Sequence, residues 1–329
     1  MINIATEMIP SRKTHKTNVS MKGILILIIL GGLWCFPSFA QSDPVFTQYM
    51  NSVQTVNPAY AGMWDKVGVQ VFTRQYYVSH NRAPLTKSVL FYSPLKNENN
   101  GVGLDIIDDR LAYEKKLTIT GDYAFQVRLD WKTNLRFGLK AGVINYSNEL
   151  TQYKLYPDGI EDPMFMEDVE IKFMPTAGIG AMVYTKDYFI SLSIPQLIAN
   201  NFEANRTNYS SLAELQYAYL IGGYLFGPQR QIRFKPTIML KGAIGAPLQL
   251  DLSANFMLYD KLWIGMIYRS THTVAAVLQL EVMKFVKMGY AVDYSLAQEF
   301  SKYHLGTHEV RVVYEFDFYR RSYTRKRYF

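Results

Sequence analysis

From residue 248 to residue 318 the chain alternates apolar and polar positions almost without interruption. Leu248, Leu250, Leu252, Ala254, Phe256 and Leu258 are interleaved with Gln249, Asp251, Ser253, Asn255 and Met257. Successive side chains of a strand point to opposite faces, so this segment has one apolar face and one mostly polar face. A tight Asp260-Lys261 turn follows, and then Leu262, Ile264, Met266 and Tyr268. The same period returns over residues 274–282, 286–294 and 310–318. Little separates these runs and none has helical spacing, which predicts a β-meander.

The rest of the chain carries the same signal with longer interruptions. Strands are predicted over 67–78, 86–95, a segment around 102–106, 116–129, 135–143, 172–184, 188–194, 214–226 and 232–244. In the third, Val102, Leu104 and Ile106 point one way and Gly103 and Asp105 the other. In the fifth, Leu135, Phe137, Leu139, Ala141 and Val143 share one face, opposite Arg136, Gly138, Lys140 and Gly142. With the meander this makes about 14 strands, an even number that closes an antiparallel sheet without edges. The longest irregular segments, 147–171, 197–211 and 297–306, all fall on odd-numbered connections. The even-numbered connections are expected to be about five residues or fewer. Long external loops with short periplasmic turns are the asymmetry of a transmembrane β-barrel. A soluble sandwich would bury its apolar faces against each other and predicts no such asymmetry.

Composition supports the membrane wall. Aromatic residues make up 15% of the 329, with 25 Tyr and 19 Phe, and charged residues only 19%. Tyr suits a boundary at which one end of the side chain is apolar and the other wet. Mean hydropathy is near zero, against a helical membrane protein but in keeping with a barrel that divides its residues between lipid and lumen. The formal charge of +7 is a matter of the ends: residues 1–40 carry +3 and residues 320–329 carry +5, leaving about −1 for the body. Nucleic-acid binding therefore has little support.

Residues 1–40 read as a secretory signal peptide. Met21-Lys22 precedes an apolar run, and Ser38-Phe39-Ala40 offers a small-residue cleavage site before Gln41. Met21 is a plausible alternative start. Residues 41–64 do not alternate, contain two prolines, and are too apolar for a free tail, so they are expected to pack at or in the barrel. The barrel is expected over 65–319 and a basic tail over 320–329.

Signals for catalysis are weak. Cys35 is the only cysteine, which excludes a disulfide framework. His304 and His308 have loosely helical spacing but sit where a loop meets a strand. Ser270 and His272 hint at a barrel lipid hydrolase, yet strand residues two apart merely share a face. The acidic stretch Asp158-Gly159-Ile160-Glu161-Asp162 lacks the spacing of a calcium loop and fits a solvated external loop. Gly178, Gly180, Gly222 and Gly223 lie in strands, where glycine permits bending or close approach. No catalytic, cofactor or metal residues are assigned. The tail residues Arg320, Arg321, Arg325, Lys326 and Arg327 form a candidate docking site for an acidic periplasmic partner or for anionic head groups.

The segment after the signal contains Asp43-Pro44-Val45-Phe46-Thr47-Gln48-Tyr49-Met50 and then Asn57-Pro58-Ala59-Tyr60-Ala61-Gly62. Arg74-Gln75-Tyr76, Ala83-Pro84 and the Asn99-to-Gly103 stretch follow. These residues closely resemble the PorP/SprF family of Bacteroidetes outer-membrane proteins. The family motif maps onto Asp43, Pro44, Phe46, Gln48, Tyr49, Asn57, Pro58, Ala59, Tyr60 and Gly62. The resemblance implies a non-enzymatic outer-membrane component of type IX secretion. Its implied work is export or surface attachment of a large adhesin-like protein with a C-terminal signal domain, in some bacteria linked to gliding motility. It also implies periplasmic partners within that machine, and outer-membrane lipid as surroundings. The basic tail has no clear counterpart in the family pattern. A diffusion channel for small solutes is the alternative, and the two readings differ in whether residues 41–62 plug the lumen.

Overall fold

The computed structural model describes residues 46–64, 66–78, 82–97, 99–153, 165–200, 215–228, 231–296 and 305–318. Fourteen strands follow in chain order. They are β1 (Val67–Gln75), β2 (Leu85–Pro94), β3 (Asn100–Leu111), β4 (Glu114–Arg128) and β5 (Asn134–Asn148). Next come β6 (Val169–Tyr184), β7 (Tyr188–Ile194), β8 (Ala218–Tyr224) and β9 (Ile232–Gly242). The meander supplies β10 (Gln249–Leu258), β11 (Leu262–Arg269), β12 (Thr273–Met283), β13 (Val286–Ser295) and β14 (Thr307–Phe316). Each pairs antiparallel with its sequence neighbours, and β1 closes on β14, with Val67 opposite Phe316 and Gln75 opposite His308. The sheet is a closed barrel.

The alternation resolves into an inside and an outside. On β14, Thr307, Glu309, Arg311, Val313 and Glu315 are buried, while Val310, Val312, Tyr314 and Phe316 are exposed. On β10, Asp251, Ser253, Asn255 and Met257 are buried and Leu252 and Phe256 exposed. Charges inside and apolar side chains outside invert the pattern of a water-soluble protein. The arrangement suits a wall facing hydrocarbon, in which the closed ladder satisfies every strand's backbone. Leu250 is half-buried beside the exposed Leu252. Outward aromatic side chains ring one end of the wall: Tyr224, Phe226, Phe234 and Phe256 stack in series with centroids 4.3, 6.2 and 4.9 Å apart. Tyr268 and Tyr294 face outward near the other end.

The connections at the two ends differ as expected. The end holding Val67 and Phe316 has turns over 95–99, 129–133, 185–187, 225–231, 259–261 and 284–285. The opposite end carries 149–168, 195–217 and 296–306, together with shorter links. In outer-membrane barrels the short-turn end is periplasmic. Several boundaries differ from expectation, β3 running over Asn100–Leu111 and β9 ending at Gly242 among them. The first strand stops at Gln75 and not near residue 78. β5 and β6 run on to Asn148 and from Val169, shortening the long loop. β8 is shorter than the predicted 214–226, so connection 225–231 exceeds five residues, although Phe226 still bridges Phe234. The β5–β6 register shifts between Ile144 and Tyr146. There Phe173 takes a left-handed φ of 58° and its N–H donates to Asn145 Oδ1 at 2.8 Å.

Candidate functional site

Residues 46–64 sit inside the barrel. Among them Phe46, Thr47, Gln48, Tyr49, Ala59, Tyr60, Ala61 and Met63 are all nearly fully buried. The prolines and the Asn57-Pro58 pair forbid a strand, and the chain forms three single-turn 3-10 segments, Tyr49–Asn51, Val53–Thr55 and Pro58–Tyr60. Asn57 starts the last of these: its Oδ1 accepts the Ala59 N–H at 2.9 Å, and Pro58 occupies a position whose N–H would go unused.

Fixed polar contacts tie the segment to the wall from top to bottom. Near the loop end, Glu309 accepts the backbone N–H groups of Thr47 and Gln48, at 2.7 and 3.1 Å. The Thr47 hydroxyl donates to Asp293, and Arg74 donates to the same hydroxyl, to Glu309 at 3.0 Å and to Asp293 at 2.7 Å. These side chains come from β1, β13 and β14, so the cluster straddles the strand pair that closes the barrel. Below it, Arg311 donates to Gln70, Gln279 and the Asn51 carbonyl at 3.0, 2.6 and 2.9 Å. Gln54 donates to the Phe91 carbonyl and to Asp122, and Lys140 bridges Asp122 and Asp105 at 3.2 and 2.6 Å. Asn57 reaches the Ala181 and Leu192 carbonyls, while Ser193 donates to the Val56 carbonyl at 2.8 Å. Arg136 holds the last turn by donating to the Ala59 and Ala61 carbonyls at 2.8 and 2.6 Å.

The other side of the segment is mostly apolar, although Lys235 of β9 donates to the Met50 carbonyl at 3.4 Å. Tyr49, Met50, Val53, Val56, Ala59, Tyr60 and Met63 share one cluster with Met182, Phe189, Tyr219, Ile221, Met239, Ile267 and Val277. Tyr60 meets Phe189 edge-on at 6.1 Å, and Phe46 stacks on Phe72 at 4.7 Å. Burial holds the Tyr49 and Tyr60 phenols well above their ordinary range, so both stay neutral. A cavity of about 10 Å³ against β1 and β2, lined by Ser52, Gln54, Gln70 and Tyr92 among others, has room for about one water.

Glycines in the wall make the fit possible. A Cβ on Gly138 would lie 2.1 Å from the Ala59 nitrogen, and one on Gly180 would lie 2.0 Å from Asn57 Oδ1. Gly103 faces Gln54, Gly289 faces Gln48, and Gly101 faces Ala61 and Gly62 in the same way. Gly62 itself has φ +58°, and a Cβ there would meet the Ser93 carbonyl at 2.3 Å. Motif residues and wall glycines are thus complementary surfaces, with no room for a larger residue on either.

Of the sequence-predicted site residues, Phe46, Gln48, Tyr49, Asn57, Pro58, Ala59, Tyr60 and Gly62 are brought together in the lumen. Asp43 and Pro44 lie outside the described residues, as do Arg320, Arg321, Arg325, Lys326 and Arg327. So do the signal segment, His304 and Asp158 to Asp162. Ser270 is a strand-edge residue whose Oγ accepts the Leu250 N–H at 2.9 Å. His308 contacts the outward Tyr290. Among the described residues, no group of three or more His, Cys, Asp or Glu is placed to hold a metal. Sequence reading missed Thr47, Gln54, Asp122, Asp293, Glu309 and Arg311 as parts of the site. A usable signal existed, since each of the strand residues among them is a charge on the inward side of an alternating strand.

Solved structures similar to the chain include the Acinetobacter baumannii outer membrane protein Omp33, with 9% identity and a TM-score of 0.46, covering 78% of this chain and all of that one. KdgM porin is similar at 9% identity and TM-score 0.39, over 76% of this chain and 99% of that one. A triple-mutant porin of Rhodopseudomonas blastica shows 9% identity and TM-score 0.32 over the same shares. A search of curated proteins found no match. The family described as type IX secretion system membrane protein PorP/SprF matches residues 38–314. That match spans the luminal segment and nearly the whole wall, and the chain belongs to the PorP/SprF family of type IX secretion membrane proteins, as an outer-membrane β-barrel.

Proposed function

We propose that this barrel is a non-enzymatic anchor that supports export or surface attachment of a large, adhesin-like type IX cargo. The carrying observation is that the lumen is filled by residues 46–64, so the exposed working surfaces are the two ends of the barrel. The long connections 149–168, 195–217 and 296–306 gather at the outer end, where they would hold the cargo's C-terminal signal domain. The acidic character of 149–168 gives that end a charge for orienting a partner. A link to gliding motility extends the same reading. At the other end, the basic tail from Arg320 to Arg327 would dock a periplasmic component of the machine. Cleavage after Ala40 would put the mature N-terminus five residues before the luminal segment 46–64.

The test is co-purification of a cargo C-terminal domain with the full-length barrel and with a variant whose 149–168 and 195–217 connections are replaced by short turns. Capture by the first and loss in the second are expected, with heat-modifiable mobility unchanged. Equal capture would remove the loop assignment. Deleting 320–329 should weaken pull-down of a periplasmic component while leaving insertion intact.

The diffusion-channel reading draws on one observation, the charged inner wall. Arg74, Arg136, Lys140 and Arg311 would line a polar bore if the segment left it. Uptake of small sugars by liposomes containing the full-length protein would favour that reading.

A further inference from the structure

The six short turns at the periplasmic end share a feature that the short outer turns lack. Each inner turn contains a basic residue: Lys96, Lys132, Lys186, Arg230, Lys261 and Lys284. The five lysines are described and exposed, and Arg230 lies outside the described residues. The three shortest outer connections, 112–113, 243–248 and 270–272, contain no Lys or Arg. The four longer outer connections carry one basic residue each, Arg82, Lys154, Arg206 and Lys302, so the contrast holds between turns of similar length.

Large apolar side chains accompany the inner lysines. Trp131 is 76% exposed, with Lys132 Nζ 3.9 Å from its ring centroid. Tyr259 and Phe285 are exposed beside Lys261 and Lys284, and Tyr188 follows Lys186 by two residues. Such pairs suit a membrane–water boundary, where an aromatic ring sits at head-group level and a lysine extends to a phosphate. A protein-docking patch would concentrate its charge on one side, whereas these residues are spread over every inner turn, around the whole rim. Acidic neighbours are present. Asp130 accepts the Lys132 and Thr133 N–H groups at 2.6 and 2.8 Å, and Asp260 pairs with Arg233 at 2.8 Å. Glu98, Asp130, Asp187 and Asp260 each share a turn with a lysine, so in sequence the six turns carry a net charge of +2, from Arg230 and Lys284.

We infer that the inner rim is a collar for anionic phospholipid head groups of the inner leaflet, with the turn lysines as phosphate ligands and Trp131, Tyr259 and Phe285 as interfacial anchors. Phosphatidylglycerol would be retained over phosphatidylcholine, and retention would weaken with salt.

The test uses full-length protein in mixed phosphatidylglycerol–phosphatidylcholine micelles, with bound lipid read by native mass spectrometry. Wild type should retain phosphatidylglycerol selectively. Lys96→Gln, Lys132→Gln and Lys284→Gln should each weaken that retention, by up to roughly fivefold at low salt, with the folded barrel confirmed by heat-modifiable mobility. A triple variant combining the three should lose the selectivity, and Gln75→Lys on the opposite rim, which returns one charge at the wrong end, should not restore it. Equal retention of the two lipids by wild type would overturn the collar, as would selectivity unchanged in the triple variant. So would variants that keep lipid selectivity but lose capture of an acidic periplasmic protein, which would make the rim a protein-docking surface.

Discussion

The two sides of the luminal segment are held by different physics. Toward β13, β14 and β1 to β5 it meets charges and hydrogen-bonding groups at fixed distances, with Arg74, Lys140, Arg136 and Arg311 as the organising cations. Toward β6 to β9, β11 and β12 it meets a contiguous apolar cluster, crossed by a few polar contacts from Asn57, Ser193 and Lys235. Apolar burial is non-directional and supplies attraction without fixing register. The charged side supplies direction, because the Thr47 and Gln48 N–H groups reach Glu309, and the Gln54 amide reaches Asp122, only at one placement of the segment. The difference teaches that position is specified mainly at the barrel's closing strands, and cohesion mainly across from them.

The largest effect should come from breaking the shared fit. Gly138→Leu puts a side chain where Ala59 and Pro58 already lie. It should cost more than about 4 kcal/mol of the segment's seating, read as protease cleavage within 41–64 of folded barrel or as failure of the barrel to fold. On the polar side, Arg74→Ala leaves Glu309 buried without its cation and Asp293 with only Arg269 at 3.7 Å, a loss of about 3–5 kcal/mol. Arg74→Lys should recover little, since one ammonium cannot reproduce the forked contacts. Adding Asp293→Asn and Glu309→Gln to Arg74→Ala should recover part of the loss; a triple variant less stable than Arg74→Ala would contradict this account of the cluster.

On the apolar side Ile221→Ala should cost about 2–4 kcal/mol, yet Ile221→Leu should cost under about 1.5 kcal/mol. That tolerance, set against the intolerance at Arg74, is the sharpest form of the comparison, measured as unfolding temperature in detergent. Among the truncations the smallest effect is expected at Asn57→Ala, about 1–2 kcal/mol for the lost cap and wall contacts.

Much of the wall was legible in the residues themselves. Alternation placed Leu252 and Phe316 outside and Asp105, Arg136 and Lys140 inside, because period two has only two solutions for a closed sheet. The ends of β5, β6 and β8 were less legible. Residues at strand ends leave the membrane, and the apolar-out rule no longer constrains them there. The luminal segment was visible as an anomaly: prolines, no alternation, and too many apolar residues for a tail. Its contacts were not visible. The pairings of Gly138 with Ala59 and of Thr47 with Glu309 join residues far apart in the chain, and no local pattern encodes such a match. The resemblance named the motif residues, and for the eight from Phe46 to Gly62 the structure supplies a physical reason: they fill a wall cut to receive them.

The central claim is that the barrel is filled, and that its work is done at its ends. Planar-bilayer conductance of the full-length protein tests this most directly, compared with the same protein lacking residues 41–64. The account predicts no stable open-pore current from the full-length barrel, and current appearing only in the deletion variant where that variant still folds. A sustained, porin-sized conductance from the intact protein would contradict it.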